Sequence, residues 1–113
     1  MLKDQLYILW TNADPITSQK MVLMYATNSM LNSWWKSVTV ILWGAPAGLA
    51  AENASVQERI KIARQAGVRF SACKACADQL NVTDQLLNLG IEVEYWGERL
   101  TEILKEDQKI ITI

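Results

Sequence analysis

Histidine is absent from the 113 residues, and cysteine occurs only twice. The first absence removes Ser-His and Cys-His nucleophile pairs and every histidine-bearing metal site. The second leaves too few thiolates for a four-cysteine zinc site within one chain, so neither a metal nor a cofactor is expected. Charge of one sign is also missing. Eleven basic residues stand against twelve acidic ones, for a net charge of −1. The basic residues are scattered, which excludes an electrostatic footprint for nucleic acid and makes an anionic membrane a poor partner. Apolar runs such as Val38 to Trp43 fall far short of the roughly 20 residues that a membrane span needs. The stretch Met1 to Tyr7 shows no signal-peptide pattern, so a soluble, cytoplasmic protein is expected. In that compartment a cysteine pair is redox-active, sulfur-handling or inert rather than a structural disulfide.

Half of the residues are hydrophobic. No linker, internal repeat or low-complexity segment divides the chain, so residues 1–113 are expected to form one domain. Leu6 to Trp10 is a continuous apolar run, expected as a strand buried on both faces. Thr11 to Pro15 is a turn, after which Thr17 or Ser18 is placed to cap a helix running to Lys36. Val38 to Trp43 is a second, β-branched strand, followed by a Gly44–Gly48 loop and a short helical turn over Leu49 to Glu52. Ser55 is placed to cap a helix through Ala66, whose apolar stripe is Val56, Ile60 and Ala63, with Gly67 as its stop. Val68 to Ala72 is the third strand, with a short helix to about Leu80. Thr83 is placed to cap a helix closed by Gly90. Ile91 to Trp96 alternates as a strand nearer the sheet edge, broken by Gly97. A helix over Thr101 to Glu106 and a strand over Lys109 to Ile113 complete the chain. Strands and helices thus alternate, which predicts a three-layer α/β/α fold: a five-stranded parallel sheet with right-handed crossovers and helices on both faces.

Both cysteines, Cys73 and Cys76, fall where the third strand turns into a helix. Ligands and chemistry in open α/β sheets collect at the carboxyl ends of strands. A thiol there faces free backbone N–H groups and the positive end of a helix dipole, and the adjacent Lys74 would add positive charge, so thiolate is favoured. Cys73 is therefore the candidate nucleophile or persulfide carrier, set against the plain reading of a small buried hydrophobe. Cys76, completing a C-x-x-C pair, either forms a disulfide with Cys73, passes sulfur to or from it, or packs the helix. Asn12 and Asp14, at the end of the first strand, either face the thiols across the same edge or serve the turn. Lys20 is a candidate for positive charge and Gly44 for a close backbone approach to a ligand. The glycine spacing matches neither the dinucleotide nor the P-loop pattern, so no phosphate site is expected.

Five tryptophans and four methionines are many for this length. Trp34 and Trp35 are adjacent and cannot both enter one core stripe. At least one is expected to cover an exposed apolar patch beside Met21, Met24 and Met30, which points to a homo-oligomer.

Leu6–Pro15, Val38–Gly48 and above all Gly67-Val68-Arg69-Phe70-Ser71-Ala72-Cys73-Lys74-Ala75-Cys76-Ala77-Asp78 resemble the DsrE/DsrF-like family of small sulfur-handling proteins, including its YchN-like branch. The resemblance covers nearly the whole chain. It implies the strand order 4-3-2-1-5, trimers or hexamers, and sulfur donor and acceptor proteins as partners. In relay members a cysteine after the third strand accepts persulfide sulfur, and Cys73 holds that position; Cys76 looks like the second cysteine of the YchN-like branch. The family often carries Arg-Gly after the following helix, where this sequence has Leu80-Asn81-Val82. The functional expectation is an intracellular sulfur carrier, sulfurtransferase-like. The alternative is a non-catalytic oligomeric module that binds a small ligand or a protein.

Overall fold

A computed structural model describes residues 3–113. Met1 and Leu2, which belong to the segment inspected for a signal peptide and to the expected 1–113 domain, lie outside the described residues. Five strands form one sheet: β1 (Gln5–Trp10), β2 (Ser37–Leu42), β3 (Arg69–Cys73), β4 (Glu92–Glu94) and β5 (Lys109–Thr112). All neighbouring pairs are parallel, in the order β4-β3-β2-β1-β5. The helices are α1 (Pro15–Thr17), α2 (Met24–Leu31), α3 (Ala45–Glu52), α4 (Ala54–Gln65), α5 (Lys74–Gln79), α6 (Thr83–Asn88) and α7 (Gly97–Lys105), with a π-helical stretch, Ser18–Leu23, joining α1 to α2. No helix among the described residues is long and apolar enough to cross a membrane.

The strand order dictates which face each helix covers. From β1 to β4 every crossover moves the same way along the sheet, so right-handed connections put their helices on one face. The return from β4 to β5 moves the opposite way and puts α7 on the other. The packing follows this division. Leu6, Ile8, Trp10, Val38, Val40, Leu42, Phe70 and Ala72 are buried in one cluster with residues of α2 to α6. Ile41, Trp96 and Ile103 of α7 form a smaller cluster on the reverse face, flanked by partly buried Tyr7, Leu9, Trp43 and Ile110. A strand alternates its side chains between faces. β1 therefore shows alternate full and partial burial, not burial on both faces as its apolar run predicts, because one nine-residue helix cannot cover the reverse face.

Helix α4 illustrates why these elements form. Asn53 caps it, its Oδ1 accepting from the Val56 N–H at 3.0 Å. Val56, Ile60 and Ala63, on one face, are wholly buried. Burying each of the two larger chains contributes roughly 1.5–3 kcal/mol. Gly67 ends the segment at φ +109, a left-handed conformation in which glycine avoids a Cβ clash.

Several boundaries differ from the sequence expectation, each for a local reason. The first helix starts at Pro15, not at Thr17 or Ser18. Asp14 is its cap, accepting from the Thr17 N–H at 2.8 Å, and a proline at the first helical position loses no hydrogen bond. Ser18 is instead buried, accepting from Trp10 Nε1 at 3.1 Å and donating to the Asn12 carbonyl. Within Ser18–Leu23 the pattern widens, and the Met24 N–H bonds back to the Gln19 carbonyl. The helix ends at Leu31 rather than Lys36, because Ser33 takes a left-handed φ of 55°. The Gly44–Gly48 loop is the opening of α3, with Pro46 in its first turn. Asn53, not Ser55, caps α4. Thr83 is the first residue of α6 and bonds Asp78 instead of capping. β4 stops at Glu94, because Trp96 turns inward as the residue before α7 and donates Nε1–H to Ser71 Oγ at 2.7 Å.

That last bond is the polar fastening of α7 to the sheet. Replacing Ser71 by alanine strips a fully buried indole N–H of its acceptor. We expect Ser71→Ala to lose about 1–3 kcal/mol in urea unfolding, whereas Thr101→Ala on the exposed side of α7 stays near wild type.

Candidate functional site

All strands are parallel, so their carboxyl ends share one edge of the sheet. Register fixes the neighbours along it: Trp10 pairs with Leu42, Leu42 with Ala72, and Cys73 with Glu94. Cys73 is the last residue of β3 and at the same time the cap position of α5. Its side chain makes no capping bond, its backbone is extended (φ −63°, ψ 118°), and the residue is 6% exposed. Cys76 lies at the third position of α5 and is partly exposed. Both thiols are free.

Burial pushes the Cys76 thiol above its ordinary pKa, and contact with Cys73 adds to this. That contact favours the protonated form of Cys76. The Gly44 backbone N–H acts the other way by donating to Cys76. Gly44 reaches that position at φ +81°, ψ −129°, a conformation that costs a side-chain-bearing residue dearly. A Cβ built there would meet nothing within 4 Å. The glycine is therefore required by its backbone angles, not by crowding.

The Lys74 ammonium is engaged elsewhere. Its Nζ binds Asp78 Oδ2 at 2.5 Å one turn along α5, and sits 5.6 Å from the centre of the Tyr95 ring. The Asp78 hydrogen bond holds the Lys74 ammonium above its usual pKa, and the same bond lowers that of Asp78. Asp78 also accepts from Thr83 Oγ1 at 2.7 Å, tying α5 to α6.

The remaining candidates divide by position. Asn12 and Asp14 follow the end of β1, two strands away from β3. Asn12 Oδ1 accepts from the Asp14 N–H at 2.7 Å. The Asp14 carboxylate caps the first helix, and the Thr17 N–H lowers its pKa. These two side chains thus serve the turn and the cap. Lys20 is exposed on the π-helical stretch. Gly44 is the one that the fold brings against a thiol; Lys74 follows Cys73 in sequence, but its ammonium is turned to Asp78 and Tyr95. Asp78 and Tyr95 were not anticipated. The Lys74–Asp78 spacing of one helical turn was a readable signal; Tyr95 comes from a different strand end and had none.

A separate cleft of about 470 Å³ opens on the α7 face, lined by Thr39, Arg69, Ser71, Glu92, Trp96 and Arg99. Much of its polar lining is already paired. Glu94 Oε1 accepts from both Ser71 and Arg99, and the Arg99 guanidinium lies 4.1 Å from the Trp96 ring centre.

A five-stranded parallel sheet in this order, with a thiol pair at the end of its third strand, defines a small class of α/β proteins. The model of the DsrE/DsrF-like family matches residues 6–113, and the chain belongs to that family. A conserved protein of unknown function from Bacteroides thetaiotaomicron is 43% identical and superposes with a TM-score of 0.95, over 97% of this chain and 95% of the other. The ychN protein from E. coli shares the fold, with a TM-score of 0.73 and 16% identity over 97% and 99% of the two chains. No curated protein matches the sequence.

The thiols differ in a way that alkylation reads directly. In the folded protein we expect Cys76 to react slowly with iodoacetamide near neutral pH and to speed up only above the ordinary thiol range. In denaturant the same residue should gain its reactivity at lower pH. Equal profiles in the two states would contradict the burial effect.

Proposed function

We propose that the protein is an intracellular sulfur carrier, sulfurtransferase-like, in which Cys73 accepts persulfide sulfur and Cys76 is the auxiliary thiol. The observation that carries this reading is the position of Cys73, at once the end of a central strand and the head of a helix, with a second thiol against it. Family membership supports a sulfur-relay setting. Loading balances without a cofactor. The Cys73 thiolate attacks the outer sulfur of a donor persulfide, a new S–S bond forms, the donor's own S–S bond breaks, and the donor leaves as thiolate. Gly44 contributes its amide at the mouth of the site. The donor and acceptor are proteins, and residues 1–113 act as one cytoplasmic domain.

The low exposure of Cys73 bears on loading. A sulfur atom that is nearly covered reacts only with a donor that fits closely against it. We expect wild-type protein exposed briefly to a persulfide donor, then trapped by alkylation, to gain one sulfur atom on Cys73 by peptide mass spectrometry. Cys73→Ser should gain none there. An unloaded wild type, or a Cys73→Ser variant that loads equally at Cys76, would refute the assignment.

We also propose that the chain forms a homo-oligomer, as the trimers or hexamers of the family imply. Trp34, just beyond the end of α2, is 58% exposed; Leu31 on α2 is 66% exposed, and Met21 and Met24 earlier on the same helical stretch are exposed as well. Trp35 is the inward member of the tryptophan pair, donating Nε1–H to Tyr25 Oη at 3.1 Å. An apolar ridge of this kind is stable in water once a second copy covers it. Sedimentation equilibrium should give a multiple of the 12.8 kDa chain mass, and Trp34→Glu should reduce it. A monomeric wild type would remove this part of the proposal.

A further inference from the structure

The two cysteines occupy the cap and third positions of α5. Side chains at those two positions meet across the first turn of a helix, which is why a capping residue and the residue three along bond reciprocally in so many proteins. Here both positions carry sulfur, no capping bond engages Cys73, and the two thiols are reduced and in contact. Cα atoms one turn apart fall within the span of about 4.4–6.8 Å that a disulfide bridges. The Gly44 amide lies close to Cys76 and favours its thiolate.

We propose that the pair discharges its cargo as hydrosulfide: Cys76 resolves the persulfide on Cys73, leaving an intramolecular disulfide. This rests on the carrier reading above. The Cys76 thiolate attacks the inner sulfur of the Cys73 persulfide. The bond between the Cys76 and Cys73 sulfurs forms, and the bond from Cys73 to its outer sulfur breaks. The outer sulfur leaves with the electron pair as hydrosulfide, and the Cys76 proton goes to solvent. The outer sulfur is reduced to sulfide and the two cysteines are oxidised. A low-molecular-weight or protein dithiol then reduces the disulfide and restores both thiols.

Cys76 lies one helical turn from Cys73 and is partly exposed, so its sulfur is placed to meet a persulfide formed on Cys73. A carrier without a second thiol would hold its sulfur until an acceptor arrived. This one releases it within the chain, in a form that any sulfide-consuming reaction can use.

The test is anaerobic loading of wild type, Cys76→Ser and Cys76→Ala with inorganic polysulfide, followed by removal of excess donor. Free sulfide is assayed with monobromobimane and the intact chain is weighed. Wild type should release one sulfide per chain and lose the mass of two hydrogens. Both Cys76 variants should release none and keep the extra sulfur on Cys73. Wild type that keeps its sulfur as long as the variants, with no disulfide, overturns the discharge step while leaving the carrier reading intact. Failure of wild type and both variants to take up sulfur at Cys73 overturns both. Two variants with differently sized side chains keep the comparison valid should either one fold poorly.

Discussion

Parallel pairing of β2 with β3 is the constraint on which the site depends. Leu42 and Ala72 sit side by side, so the next residues on each strand leave the sheet together. Trp43-Gly44 turns one way into α3, and Cys73 turns into α5. Neighbouring strands lie about 4.8 Å apart, so the backbone leaving β2 passes within hydrogen-bonding reach of whatever leaves β3. The Gly44 amide and the Cys76 sulfur meet for that reason. A slip of the register by one residue would separate them and would also turn Val40 and Leu42 out of the core. The same buried faces that hold the fold together therefore position the chemistry.

The two faces of the sheet are not equivalent, and the difference follows from chain order alone. Three successive steps in one direction bury one face under most of the helices; a single return step leaves the other with α7. What α7 lacks in area it recovers in part through polar fastening. Trp96 inserts its ring beneath the helix start, Ser71 receives its N–H, and Glu94 gathers Ser71 and Arg99. Tyr7, Leu9, Trp43 and Ile110 remain half-buried around this cluster. Charged and hydroxyl groups, Arg69, Thr39 and Glu92, take over towards the amino ends of β2, β3 and β4, where the cleft opens. The reverse face is thus apolar near β1 and β5 and polar towards β4.

The strand order came from the family resemblance alone; fold class was legible because β-branched and apolar runs alternate with helical periodicity, and because the glycine at 67 stops a helix where it should. The cysteine junction was legible for the same reason: a short apolar strand ends at Cys73 and polar, helix-forming residues follow. Capping was less so. Asp14-Pro15 and Asn53 are ordinary cap signals, yet each has serine or threonine close behind it that fits the same rule. Competition between adjacent caps is decided by tertiary contacts, here by Ser18 being drawn under Trp10. Contacts between distant segments were not legible at all. Nothing local ties Trp96 to Ser71, or Gly44 to Cys76. The binding candidates Asn12 and Asp14 were named because strand ends gather polar groups; their side chains are occupied by the turn they build.

The loop after α5 turns on Asn81, which takes a left-handed φ of 58°. Asparagine is among the few side-chain-bearing residues that enter this region readily. The chain reverses there, and Val82 returns into the core, 6% exposed. Its N–H reaches the Ala77 carbonyl at 3.0 Å. That bond closes the far end of α5, and the Lys74–Asp78 pair runs along it from its first residue to its fifth. At its other end Cys73 is still paired with Glu94 in the sheet, so the short helix that carries Cys76 is tied to the sheet in front and to the core behind.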